Sequence, residues 1–385
     1  MPTRGLRRTA LAALGAGALA SCALGDFRRV DGELATGGGG SGSGGSSAGG
    51  CDPAGFPAPP KEKELGGTVE FVAAVHSIHL TEFPDRTTVG VDLDGTCTCE
   101  LDAGSTCAPS EHSVQAKSYC DGERGRDNAL GGFLKQASAL LTKIPIDEFY
   151  SEQAHKGYWG LVLKVRGYNG EANDDQVTLA LIGTHQFGVV PPKWDGTDTW
   201  PASSTSFEKN AQGEVDPEKP LYLDTEAYVT NNVLVASLPE THIDLAGIES
   251  RIAIRATGGG ILARIAKDER GWRLDKGLVT GRLGHKEVME MVASYRSDSG
   301  EPLCTDDAFY CAAKLAFCDG LDILKGLGNA AQPCDAISFA IGFFAEPASI
   351  GNVLEPKPAT ANCAPGTSPE LDSCFETECP PPPQP

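Results

Sequence analysis

The sequence predicts a mainly β fold: an antiparallel β-sandwich or jelly-roll-like domain with a few helices and a disulfide-stapled C-terminal helical appendix. Three observations lead there. Apolar residues alternate with polar ones at a period of two over many short segments, turn signals separate those segments, and cysteines gather in two clusters.

The alternation is clearest in the middle of the chain. Val89, Val91 and Leu93 point one way, and Gly90, Asp92 and Asp94 the other. Leu161, Leu163 and Val165 alternate with Val162, Lys164 and Arg166, and Val177, Leu179 and Leu181 with Gln176, Thr178 and Ala180. Ile252 and Ile254 continue the pattern, followed by short strands through Trp272 and Leu274. Turns fall at Tyr168-Asn169-Gly170, Gly258-Gly259-Gly260 and Lys276-Gly277. Strands with one buried face at meander spacing imply two packed antiparallel sheets.

Helical spacing interrupts the strands. Leu130, Phe133, Leu134, Ala137, Leu140, Leu141 and Ile144 share one face, with Asp127 as N-cap and Pro145 as the stop. Val288, Val292 and Tyr295 mark a helix near 285–295, and a C-terminal pair is expected near 306–319 and 334–345. The apolar run Ile337 to Ala345 is read as the buried helix of that pair. No run reaches the roughly 18 apolar residues of a membrane span.

The first 22 residues, MPTRGLRRTALAALGAGALASC, have a basic start, an apolar middle and small residues before a cysteine. This is the three-part design of an export signal. Leu19-Ala20-Ser21-Cys22 resembles the lipobox of bacterial lipoproteins at all four positions. The resemblance implies cleavage before Cys22, acylation of that cysteine with palmitate-like chains, and, with Ala23 rather than Asp next, residence on the outer membrane. Two or more acyl chains hold a protein to a bilayer stably where one does not.

These signals divide the chain: signal peptide 1–21, a lipidated Gly/Ser-rich tether 22–63, a β-rich domain with an inserted helix 64–300, a disulfide-stapled helical appendix 301–350, and a Pro-rich irregular tail 351–385. The stretch 37–50, GGGGSGSGGSSAGG, has no side chains able to build a core and is expected to act as a coil. The net charge of −20 disfavours nucleic acid and anionic headgroups and suits cations, basic partners or neutral glycans.

Of thirteen cysteines, Cys22 is assigned to lipid and an even number remain, which argues for disulfides in an exported chain. Cys97, Cys99, Cys107 and Cys120 form one cluster, and Cys304, Cys311, Cys318 and Cys334 another. Pairing within the second cluster is expected, stapling the helix that carries Cys311 and Cys318 to its neighbour carrying Cys334. Zinc binding by the first cluster with His112 is disfavoured, because paired C-x2-C knuckles are missing and the compartment is oxidising.

Catalytic motifs are sparse. There is no H-E-x-x-H and no P-loop among the 385 residues. His76 and His79, three apart, should face opposite sides of a strand and make poor co-ligands. The stretch Lys193-Trp194-Asp195-Gly196-Thr197-Asp198-Thr199-Trp200 joins aromatics to carboxylates, a combination that suits sugars, but it also reads as a turn with two tryptophans folded onto the domain edge. The sharper constellation is acidic. Asp92 and Asp94 precede Gly95, and Asp121, Glu123 and Asp127 lie in the loop CDGERGRDN; the first cysteine cluster could draw the two segments together. Oxygen-only ligands on loops suit calcium, although the spacing is not that of an EF-hand.

From about residue 66 to 350 the body resembles uncharacterised secreted lipoproteins of myxobacteria. The likeness rests on VGVDLDGTCTC, CDGERGRDNALGG, VRGYNG, PKWDGTDTW, YVTNNVLVASLPE, WRLDKGLVTGRLG, LCTD and CDAISFAIGF. It implies a secreted, lipid-anchored protein and carries no activity, so it transfers no catalytic residue. The expected function is therefore a lipid-anchored envelope or surface lipoprotein acting as a non-catalytic binding or structural module, with calcium as its one candidate cofactor. Its partners are the membrane through the anchor and a glycan or protein ligand. The alternative is a cell-surface hydrolase acting on glycans with carboxylates between Asp195 and Glu226.

Overall fold

The computed structural model describes residues 51–63, 66–80, 89–100, 104–134, 146–246, 251–294, 302, 304, 307–326, 328–355, 363 and 368–374. The signal segment, Cys22 and most of the tether lie outside these residues. Among the described residues eleven strands occur: β1 Val69–His79, β2 Gly160–Tyr168, β3 Asp174–Thr184, β4 Thr199–Ser203, β5 Phe207–Lys209, β6 Val215–Pro220, β7 Tyr222–Thr230, β8 Val233–Ala246, β9 Arg251–Asp268, β10 Gly271–Gly284 and β11 Ala336–Leu354. The helices are α1 Glu111–Ala116, α2 (129–134 within the described residues), α3 Ile146–His155, α4 His285–Ser294 and α5 Asp307–Asp319. None of them is long and apolar enough to cross a membrane.

The expected antiparallel, mainly β architecture holds, but it is a closed eight-stranded barrel rather than a sandwich. Antiparallel pairs run β1–β2, β2–β3, β3–β7, β7–β8, β8–β9, β9–β10 and β10–β11, and β11 returns to β1, with Val72 opposite Ala348 and His79 opposite Gly342. Closure removes the sheet edges. The error has one source. Ile337 to Ala345 is strand, not helix, and without it the remaining strands form an open sheet that needs a second sheet to cover it. A short continuous apolar run fits either a buried strand or a buried helix, and here both faces of the strand are covered.

The inward positions fill the barrel. Leu161, Leu163, Val165, Val177, Leu179 and Leu181 meet Ile261, Val279, Phe339, Ile341 and Phe343 in one core, all buried. Two glycines make room for rings from the next strand: Gly277 and Gly281 stand opposite Phe343 and Phe339 in the β10–β11 register. A Cβ on Gly277 would lie 2.1 Å from the Phe343 ring. The same core takes in Ile146, Tyr150 and Ala154 of α3 and Val288, Met289, Met291 and Val292 of α4.

Two stretches of the outer wall are apolar as well, one covered by a loop and the other by residues of β4 and β5. Val89 and Val91, with Leu93, pack on outward Val233, Val235, Leu262, Leu278 and Ala340. The alternation read in 89–94 is thus real, but the segment is a cover held by a bridge from Val91 to Asp127, not a ladder strand. Elsewhere Trp200, Ala202 and Phe207 cover Ala74, Val162, Ala180 and Ile182. Helix α3 follows Pro145 directly and is absent from the sequence reading.

All eight cysteines expected in disulfides are disulfide-bonded, yet the pairing differs. Cys99–Cys120 alone stays within a cluster. Cys51–Cys97, Cys304–Cys363 and Cys318–Cys374 reach outside the clusters, and Cys107–Cys334 joins one cluster to the other. The partner of Cys311 lies outside the described residues. Because Cys334 enters a barrel strand rather than a helix beside α5, α5 is stapled instead to the segment carrying Cys374. The 301–350 stretch is accordingly no separate appendix: it supplies α5 and then the strand that closes the barrel.

Candidate metal centre

The segment carrying Asp92 and Asp94 lies on the outer wall, and its sequence folds it back on itself. Asp92 Oδ1 accepts the N–H of Asp94 at 3.1 Å and of Gly95 at 2.7 Å. Gly95 has φ +78°, which a glycine adopts without strain. Asp94 Oδ1 accepts the N–H of Thr96 at 2.9 Å, and its Oδ2 accepts the hydroxyl of Thr106.

The second segment, 120–128, is drawn alongside by Cys99–Cys120 and by backbone bonds. The Asp127 N–H donates to the Val91 carbonyl at 3.0 Å, and Asp127 Oδ2 accepts the Leu93 N–H at 2.6 Å. Asp127 does not cap α2, contrary to the sequence reading. Asn128 does, its Oδ1 accepting the Gly131 N–H at 3.1 Å and also the Ala340 N–H of β11 at 2.9 Å. The one-residue shift of the cap leaves the Asp127 carboxylate free to face Asp92 and Asp94.

Carboxylate oxygens of Asp92, Asp94 and Asp127 lie within 4.8 Å of one another. Oxygens bound to one calcium ion at about 2.3–2.6 Å are separated by no more than twice that length, so these three can share an ion. Asp121 flanks them, with Oδ2 accepting the Thr98 N–H at 2.6 Å. Glu123, the fifth expected ligand, is not brought in: its side chain is exposed, and only its carbonyl is used, by Arg126. Asp322 is the residue that sequence reasoning missed. It is buried, bonded to the Ser338 N–H at 2.8 Å, and its charge acts on both Asp121 and Asp127. Nothing local marks it, because about two hundred residues separate it from the loop and only β11 brings it there.

The electrostatics follow from the crowding. Burial, then the charge of Asp94, pushes the Asp92 carboxyl up to about 7. Burial raises Asp94 too, against the hydrogen bond from Thr106. Burial and then Asp94 push Asp121 up to about 8, and burial with the charges of Asp121, Asp94 and Asp322 raises Asp127 well above the ordinary carboxylate range. Arg282 partly offsets the charge on Asp94 and donates to the Leu93 carbonyl. Cys51, Cys97 and Glu100 also converge, but the two sulfurs are bonded to each other and offer no thiolate. The same holds for a zinc site built on the first cysteine cluster.

The end of the stretch 22–63, expected to be a flexible tether, is instead fastened here from Cys51 on. The Ala54 carbonyl accepts the Asp92 N–H at 3.0 Å, the Ala54 N–H donates to the Arg124 carbonyl at 2.7 Å, and Arg124 pairs with Asp52 at 2.8 Å.

Three of the carboxylates between Asp195 and Glu226 are engaged in holding the backbone. Asp198 is buried and accepts the N–H groups of Lys193 at 3.0 Å and Trp194 at 2.7 Å. Asp195 accepts from Thr197, and Asp224 from the N–H groups of Glu226 and Ser237. Trp200 is fully buried, and Trp194 stacks on His155 with ring centroids 5.8 Å apart. The histidine reading is corrected. A bulge between Val75 and Ser77 changes the phase of β1, so His76 and His79 both lie against Phe344, at 6.3 and 6.1 Å.

No protein family, curated protein or solved structure matches this chain.

Proposed function

We propose that this chain is a lipid-anchored envelope protein whose closed barrel acts as a non-catalytic binding or structural module, and that Asp92, Asp94 and Asp127, with Asp121 beside them, hold a calcium ion. The observation that carries the cation reading is the approach of three carboxylates within 4.8 Å at a site where burial raises all of them and repulsion from neighbouring carboxylates adds to it for Asp92 and Asp127. A divalent cation removes that repulsion and supplies the counter-charge. Exported proteins meet calcium at the concentrations where weak extracellular sites work, of order 10⁻⁴–10⁻³ M.

Two features support the envelope setting. Leu19 to Cys22 has the form of a lipidation signal, and disulfide-bonded cysteines belong to an oxidising compartment. The glycan-hydrolase alternative has no comparable support, since Asp195, Asp198 and Asp224 hold turns and strand ends.

Calorimetric titration of calcium into chelator-treated protein at pH 8 tests the cation reading. One site is expected in the wild type, and its loss in Asp92→Asn/Asp127→Asn. Heat of binding that survives in that variant refutes the site. Membrane fractionation tests the anchor: Cys22→Ser should leave the membrane fraction, and equal retention rules the lipid anchor out.

A further inference from the structure

The outer wall of a barrel is ordinarily polar at the positions that face away from the core. Across β2, β3 and β7 this wall is mixed, with Ala180, Ile182 and Leu223 among polar Lys164, Arg166, Thr178 and Thr225. Lys164 stands opposite Ala180, and Ala180 opposite Leu223; Val162 stands opposite Ile182. The β5–β6 hairpin stands over this wall without filling the space beneath it. A groove of about 470 Å³ remains, with Ile182, Phe207, Leu223, Ile350 and Val353 on its apolar floor and sides. That volume falls in the roughly 300–1,000 Å³ of small-ligand sites.

Lys164 and Arg166 line the same groove from β2. Their aliphatic stems extend the apolar surface while their heads remain available to a ligand. Glu70 pairs with Lys164 at 3.0 Å and with Arg166 at 3.4 Å, and Glu218 pairs with Arg166 at 2.9 Å. The Glu218 side chain is 74% exposed, so releasing it to water sacrifices little. Glu70 and Glu218 balance the two cations, and an anionic head that replaces Glu218 keeps that balance.

We propose that this groove binds a single-chain amphiphile with an anionic head. The chain would lie along the apolar floor, and the head would take the place of Glu218 on Arg166 and share Lys164. A glycan would leave the apolar floor in contact with polar groups, and a cationic amphiphile would meet Lys164 and Arg166 head on. This site is distinct from the cation centre and does not depend on it.

Titration calorimetry below micelle-forming concentrations tests the proposal, with chelator present so that calcium soaps do not form. The probes are dodecanoate, dodecyl phosphate and dodecyltrimethylammonium. One or both anionic probes should bind at one site, and the stronger of them tells a carboxylate head from a phosphate head. Lys164→Gln/Arg166→Gln should weaken that binding at least tenfold, and Thr225→Trp, which places a ring in the groove from its exposed side, should abolish it. The double variant tests the head, and the tryptophan variant tests the location without touching the barrel core. Absence of binding by both anionic probes, equal binding of the cationic probe, or unchanged affinity in either variant would overturn the proposal.

Discussion

Asp127 accepts the backbone N–H of Leu93 through its carboxylate at 2.6 Å, while its own N–H donates to Val91 at 3.0 Å. This double attachment lashes the loop before α2 to the covering segment 89–94 and sets Asp127 against Asp92 and Asp94. The packing of the outer cover and the geometry of the acidic centre are therefore one feature.

That crowding gives stability a pH dependence. In the folded protein Asp92 titrates near 7 and Asp121 near 8, against an ordinary aspartate value of 3.8. The fold thus holds protons that the unfolded chain has already lost. The resulting stabilisation is fully present below about pH 4 and is lost as pH rises through 7 to 8. With chelator present, the urea midpoint of the wild type should fall between pH 5 and 9 more steeply than that of Asp92→Asn/Asp121→Asn. Parallel slopes would mean that these carboxyls are not raised.

Gly277 and Phe343 test the barrel closure. With the ring 2.1 Å from where a Cβ would stand, Gly277→Ala forces the Phe343 side chain of β11 to move inside a filled core. A loss of about 1–3 kcal/mol is expected from such overpacking. Urea unfolding measures it, and a neutral substitution would place the ring elsewhere.

Cys107–Cys334 spans 227 residues and ties the loop before α1 to the entrance of β11. Replacing both cysteines with alanine should destabilise the protein by about 2–5 kcal/mol. Peptide mapping without reductant should recover this cross-linked pair, and recovery of Cys334 bonded to Cys304, Cys311 or Cys318 would restore the pairing read from sequence.

His76 gives the opposite pH sign. Burial, then the charge of His155, lowers its imidazole to about 4, and it packs edge-on to Trp194 at 5.6 Å. Glu346 lies 3.8 Å from it, clamped by Arg270 at 2.8 Å, with Asp275 also within electrostatic reach. A neutral buried histidine contributes stability that is present above about 6.5 and lost as pH falls through 4. His76→Phe should flatten the acid limb of the stability profile over that window. An unchanged limb would assign acid sensitivity to other groups.

Stretches whose outward residues are polar were legible, as Val177 and Leu179 beside Gln176 and Thr178 illustrate, because one buried face writes a period of two. The closing strand was not. Ile337 to Ala345 is apolar on both faces, since the core lies on one side and the covering loops on the other, and the alternation vanishes. Ring closure through β1 and β11 is likewise a pairing across nearly the whole chain. At the centre, Asp92, Asp94 and Asp127 could be read from spacing beside cysteines. Glu123 shared that spacing but points to solvent, and Asp322 arrives only through the fold. His76 and His79 share a face because of a bulge, which leaves no mark in a short polar stretch.

Thermal unfolding at pH 8, in calcium and in chelator, tests the central claim most directly. Calcium at ten times its dissociation constant should stabilise the wild type by about 1.4 kcal/mol. Asp127→Asn should abolish that gain, since it removes one of the three converging ligands. An equal calcium response in wild type and Asp127→Asn, or no response in either, would contradict a calcium site at Asp92, Asp94 and Asp127.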